Sequence, residues 1–157
     1  MPGPTTLSES EISQYSISYH VNSGLTALGW NVFVDQIRDG WPVYSELEVP
    51  GVYVLCEESE VRGYELGSHG KQVNALFYVY GENDAQRTRL ADTLEDMVRD
   101  IMPIYDFTTG NETSPTIRDY FDTVSVRWEK VPNLTNAPDK ERYRSVVSAV
   151  LLRQVPV

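Results

Sequence analysis

Apolar and polar positions are most ordered between Gln72 and Tyr80. Val73, Ala75, Phe77 and Val79 fall on one side of an extended chain, and Asn74, Leu76, Tyr78 and Tyr80 on the other. Both sides carry apolar or aromatic residues, which predicts a central strand covered on two faces, or on one face by a partner chain. Beyond Gly81-Glu82-Asn83-Asp84 the spacing becomes helical, with Leu90, Leu94, Met97, Val98 and Ile101 forming one stripe. Asn83 or Asp84 is placed to cap this helix, Asn83 with Gln86 has capping-box spacing, and Pro103 is expected to stop it. A covered strand followed at once by an amphipathic helix is the nucleus of an α+β layer.

The flanking chain yields further elements. Ser8 and Glu11 have capping-box spacing, with Leu7 as a staple, and predict a helix to about Val21 whose stripe is Ile12, Tyr15 and Tyr19, extended by Asn22 and Thr26. Gly24 and Gly29 lie near its end. Asn31 to Arg38 reads as a strand, Val43 to Pro50 as extended and irregular, and Gly51 to Glu58 as a strand with Val52, Val54 and Cys56 opposite Tyr53, Leu55 and Glu57. Ser59 to Gly70, with three glycines, reads as a long mobile hairpin. Ile104 to Phe107 reads as a short strand and Thr108 to Ser114 as a loop. Asp122 to Val131 alternates, with Val124, Val126 and Trp128 expected inward. Pro132 to Pro138 connects to a last strand, Tyr143 to Val155. The expected fold is therefore α+β, a mostly antiparallel sheet of about four to five strands packed by one long helix plus an N-terminal helix. It occupies residues 1–157 as a single domain, with 1–7 a flexible arm and 59–70 a mobile hairpin.

Composition narrows the function more by exclusion than by signal. A net charge of −10 repels phosphates and anionic membranes, so nucleic-acid binding is not expected as the main activity. The single cysteine, Cys56, excludes an internal disulfide framework. No run approaches a membrane span, and the first residues lack the pattern of a signal peptide, so a soluble protein of the cytoplasm is expected. His20, His69 and Cys56 match no metal-binding spacing. Gly63 to Lys71 resembles a phosphate loop only superficially, because Glu65 replaces its first glycine and Gln72 its magnesium-binding hydroxyl. The carboxylates Asp92, Glu95, Asp96 and Asp100 interleave with Arg87, Arg89 and Arg99, as on a solvated helix. No nucleophile elbow is present. No catalytic residue, cofactor or metal is expected. The remaining surplus is aromatic: Tyr53, Tyr64, Tyr78, Tyr80, Tyr143 and Trp128 lie on or beside strands, where they either complete the core or face a partner.

Taken in order, a capped N-terminal helix (Ser8 to Val21), the strand Pro50 to Leu55 and the hairpin about Tyr64-Glu65-Leu66-Gly67 lead into a strand that runs straight into a Gln/Arg/Leu helix (Phe77 to Ile101). The chain then ends in Arg142-Tyr143-Arg144-Ser145 and the strand Val146 to Leu152. This layout, from about residue 8 to 155, resembles the tail-terminator (tail-completion, minor tail) proteins of tailed bacteriophages. The resemblance implies a structural virion protein and no enzyme. Such proteins form a ring, usually a hexamer, that caps the head-proximal end of the tail tube, ends its polymerisation and joins the tail to the head connector. The implied partners are further copies of the chain, the tail tube protein and the head connector or neck protein, with DNA passing through the channel unbound. On that reading Tyr53, Tyr64, Leu66, Tyr78, Tyr80 and Tyr143 are candidate subunit or partner contacts, and Glu57, Glu58 and Glu60 candidate lumen residues. The alternatives are a neck or head-completion adaptor, and a small ligand-binding α+β module with an apolar pocket.

Overall fold

The structure is a computed structural model that describes residues 9–36, 47–61, 68–107, 114–131 and 142–156. The expected arm 1–7, the tip of the 59–70 hairpin, most of the 108–114 loop and the 132–138 connection lie outside these. Eight elements follow in order: α1 (Glu9–Ala27), β1 (Phe33–Gln36), β2 (Gly51–Val61), β3 (Ser68–Gly81), α2 (Asp84–Arg99), β4 (Met102–Asp106), β5 (Thr116–Val131) and β6 (Tyr143–Pro156). The fold is α+β. Its six-stranded curled sheet has the order β1-β2-β3-β6-β5-β4, with β1 parallel to β2 and every other pair antiparallel. The two expected helices are present, but the N-terminal α1, at 19 residues, is longer than α2, at 16, and the expected four to five strands are corrected to six among the described residues.

Alternation along the central strands sorts side chains to two faces. Val52 and Val54 of β2, Val73, Ala75, Phe77 and Val79 of β3, and Val147, Ala149 and Leu151 of β6 form one core with both helices. The opposite face carries a second buried cluster of Leu47, Tyr53, Leu55, Tyr78 and Tyr80. The central strand is thus covered on two sides within one chain, the first of the two possibilities its pattern allowed.

Helix α2 lies over β6, β5 and β3. Asn83 caps it by accepting the Gln86 amide at 2.8 Å, while Gln86 Oε1 reaches back to the Glu82 amide at 2.7 Å. Leu90, Ala91, Leu94 and Val98 face the sheet. The helix ends at Arg99, four residues before Pro103, with the Asp100 amide returning to Asp96 O. Ile101 is consequently not part of the stripe and stands exposed, and Pro103 sits inside β4. At the other end Gly81 is needed for close approach: a Cβ there would stand 2.7 Å from the Arg87 nitrogen.

Helix α1 packs on β4, β1 and β2. It extends to Ala27, beyond the expected end at Val21, and closes in a Schellman motif. Trp30 N bonds to Leu25 O at 2.9 Å, Gly29 N to Thr26 O at 3.1 Å, and Gly29 has φ 86°. Its buried residues are Ile12, Ser13, Ser16, Ile17, Ser18, Val21 and Leu25, so the predicted continuation through Asn22 and Thr26 is wrong and both are exposed. The serines explain the misreading. Ser13 Oγ accepts from Arg153 at 2.8 Å and Ser16 Oγ from the Tyr105 amide at 2.9 Å, so polar residues occupy buried positions with partners.

Strand β5 begins at Thr116, six residues before its expected start, and has two pairing regimes. Residues Asp122 to Val131 pair with β6, while Thr116 to Phe121 pair with β4. Within the β6 pairing, a bulge falls between Thr123 and Ser125. The bulge turns Val124 outward, contrary to the alternation expected of it, and leaves Val126 in the core.

Candidate interaction surface

The residues singled out from the sequence occupy different places. Tyr53, Tyr78 and Tyr80 are only 2%, 8% and 2% exposed, buried within the single chain. Tyr53 and Tyr80 meet edge to face at 5.7 Å, and the Tyr53 hydroxyl accepts the Glu48 amide at 2.7 Å. These three rings complete a core and offer little surface to a partner. Tyr143 is half-buried beneath the Arg87 guanidinium, 5.9 Å from the ring centre. Tyr64 and Leu66 lie outside the described residues.

The three candidate lumen carboxylates also separate. Glu57 is exposed on the face away from the helices. Glu58 points to the helix side instead, 3.4 Å from Lys71 Nζ and 4.0 Å from Arg153 Nη1. Alternation along β2 places it there, and burial of its partner Arg153 makes it part of an internal ion cluster rather than a free surface charge. Glu60 lies on β2 but its side chain is outside the described residues. Next to this cluster the Cys56 thiol is pushed up to about 12, first by burial and then by the Glu58 charge, so it is not a reactive thiol.

His20 is half-buried on α1 with Nδ1 3.4 Å from the Tyr105 hydroxyl. Burial lowers its pKa, partly opposed by Asp100. Tyr105 is raised by burial, then by Tyr19 and Tyr120. Around them Tyr15, Tyr19, Tyr105 and Phe107 form a connected ring cluster, with centroid separations of 4.8 to 6.2 Å. Among the described residues no group of three or more His, Cys, Asp or Glu is arranged to hold a metal, and no helix is long and apolar enough to cross a membrane.

Exposed apolar side chains mark the surface instead, and they segregate. Among the described residues the large exposed hydrophobics are Leu28 (62%), Phe33 (44%), Ile101 (55%), Ile117 (51%), Tyr120 (52%) and Val124 (59%). Phe33 lies on β1, at one end of the strand order, and Leu28 directly follows α1 in the segment that leads to β1; the other four lie on or beside β4 and β5, at the opposite end. The central strands β2, β3 and β6 contribute none of the six. At the β5 end, Met102, Ile104 and Phe121 point into the core, so alternation puts Ile101 and Tyr120 on the far face of the β4–β5 ribbon. Ile117 and Val124 flank them along β5. All five residues from Thr116 to Tyr120 are exposed, on both faces of the ribbon.

Five of these six escaped the sequence reading for identifiable reasons. Val124 and Ile101 fit apolar stripes that a bulge and an early helix end interrupt. Ile117 and Tyr120 fell before the expected start of β5. Phe33 lay inside a strand whose edge position the sequence does not reveal. No protein-family model matches the chain, and no characterised protein matches it significantly.

Proposed function

We propose that this chain is a structural virion protein of a tailed bacteriophage. It assembles with copies of itself into a ring that caps the head-proximal end of the tail tube, ends tail polymerisation and joins the tail to the head connector. One observation supports the assembly part of this reading: the exposed apolar side chains divide into two unlike patches at opposite ends of one sheet. A closed ring is built from heterologous contacts, in which one patch of each copy meets a different patch of the next. An isologous dimer needs only one such patch. The tail assignment itself rests on the layout resemblance given above.

On this reading Tyr53, Tyr78 and Tyr80 stabilise the subunit rather than its contacts. Of Glu57 and Glu58, the two channel candidates whose side chains are described, Glu57 is the exposed one, and the chain's charge of −10 suits a conduit through which DNA slides. The deciding experiment is the native mass, by light scattering or native mass spectrometry, of the protein alone and mixed with short tail tubes. A ring, present from the start or formed on tube ends with arrest of their growth, is expected, at a multiple of 17.8 kDa. A monomer at high concentration that ignores tubes would sink the proposal.

A further inference from the structure

Resting on that reading, we infer that the outer face of α1 belongs to the ring contact and is covered there by a neighbouring copy of this chain. The first observation is a gap in charge. From Ile12 to Val34 there is no Asp, Glu, Lys or Arg, in a chain of which 23% is charged. Burial holds His20 toward its neutral form, so it adds no charge near pH 7. The gap is not explained by the core. Asn22, Ser23, Thr26, Ala27, Leu28 and Phe33 are all exposed. Tyr15, Tyr19, Asn22 and Thr26 follow one another at intervals of three and four residues and line one outer stripe, turned away from the buried Ile17, Val21 and Leu25. Thr26 Oγ1 donates to Asn22 O at 2.8 Å, which satisfies that hydroxyl within the helix. A helix side that faces only water carries charged residues, whereas loss of charge and gain of tyrosine mark surface that a partner covers.

Two features select a second copy as the occupant. Each copy carries a net charge of −10, so two copies approach with least repulsion over surface that holds no carboxylates. A basic partner would be met better by an acidic face. The second feature is continuity with the exposed apolar side chains. α1 packs on β4 at one end of the strand order and on β1 at the other. At its C-terminal end it leads directly into Leu28. Along its length the Tyr19 ring meets that of Tyr105 at 4.8 Å, and Tyr120 stands opposite Pro103, two residues from Tyr105 on β4. A neighbour seated on either patch is therefore beside the helix as well.

Introduced charge tests this directly. Asn22→Glu places a carboxylate in the outer stripe of α1, Ser23→Glu places one beside it, and Ala85→Glu places one at an exposed position of α2 as a control. Circular dichroism and urea unfolding first establish that each variant is folded. Native mass is then followed by light scattering across a dilution series, alone and with short tail tubes. Asn22→Glu and Ser23→Glu should each raise the concentration of half-assembly by about ten-fold or more, and Ala85→Glu by less than about two-fold. If the α1 variants assembled like Ala85→Glu in conditions where the wild type forms a ring, the inference would be overturned and the ring reading would stand. Intact rings of Asn22→Glu that no longer arrest tube growth would give the face to the tube protein and overturn the inference as well. A wild type that stays monomeric with and without tubes would remove both.

Discussion

The side chain that ties most of this fold's parts together is Arg87, a cation buried on the first turns of α2. Its guanidinium contacts Asp84, donates to Arg144 O at 3.3 Å and lies over Tyr143, so it joins the helix start to the beginning of β6. Arg87→Met keeps much of the volume but abandons the carbonyl and the ring, and should cost about 2 kcal/mol in urea unfolding. Lys130→Ala, which removes only the exposed partner at 3.4 Å from Asp84, should cost under about 0.5 kcal/mol. His20 gives a second prediction. Burial lowers its folded pKa below the usual 6.5, so between those two values the unfolded chain binds more protons. Its contribution is complete above about 6.5 and is lost as pH falls toward the lowered value. The stability difference between wild type and His20→Gln, followed from pH 7.5 to 5, should shrink on acidification within this window. A constant difference would show that His20 stays neutral, or charges equally, in both states.

At the scale of elements, the sequence reading succeeded where one periodicity ran unbroken and failed where local geometry interrupted it. β3 and α2 were legible because alternation, the Asn83 cap and a Leu/Val stripe agree with one another. The buried face of α1 was not, because Ser13 and Ser16 occupy positions that hydropathy assigns to solvent and their partners, Arg153 and Tyr105, are more than eighty residues away. The parallel pairing of β1 with β2 was hidden as well, since nothing in four residues specifies the direction of a neighbour. β5 yields a measurable consequence. With Val124 turned out by the bulge and Val126 in the core, Val124→Ser should change stability by less than about 0.5 kcal/mol, whereas Val126→Ser should cost about 2 kcal/mol. Equal costs would restore the uninterrupted alternation expected from sequence.

For the whole molecule, the question is why a chain with two internal apolar clusters also exposes apolar side chains at both ends of its sheet. Burial of Tyr53, Tyr78 and Tyr80 within the chain means that the aromatic surplus legible in the sequence is largely used internally. Exposed aromatic residues cannot be told from core residues by composition, since both lie on strands; only the three-dimensional placement separates Tyr80 from Tyr120. That separation makes folding and association independently testable. Tyr120→Ser removes a half-exposed ring and should leave the monomer's unfolding free energy in urea within about 0.5 kcal/mol of wild type, whereas Phe33→Ser also gives up the ring contact with Tyr53 at 5.9 Å and should cost about 1 kcal/mol. In a ring every subunit contributes one copy of each patch, so either substitution weakens every contact. A loss of about 1–2 kcal/mol per contact raises the concentration of half-assembly by roughly ten-fold or more. Sedimentation velocity across a dilution series would read this shift. If assembly were unchanged while Tyr53→Ser or Tyr80→Ser abolished it without unfolding the subunit, the contacts would lie on the second cluster rather than at the sheet ends.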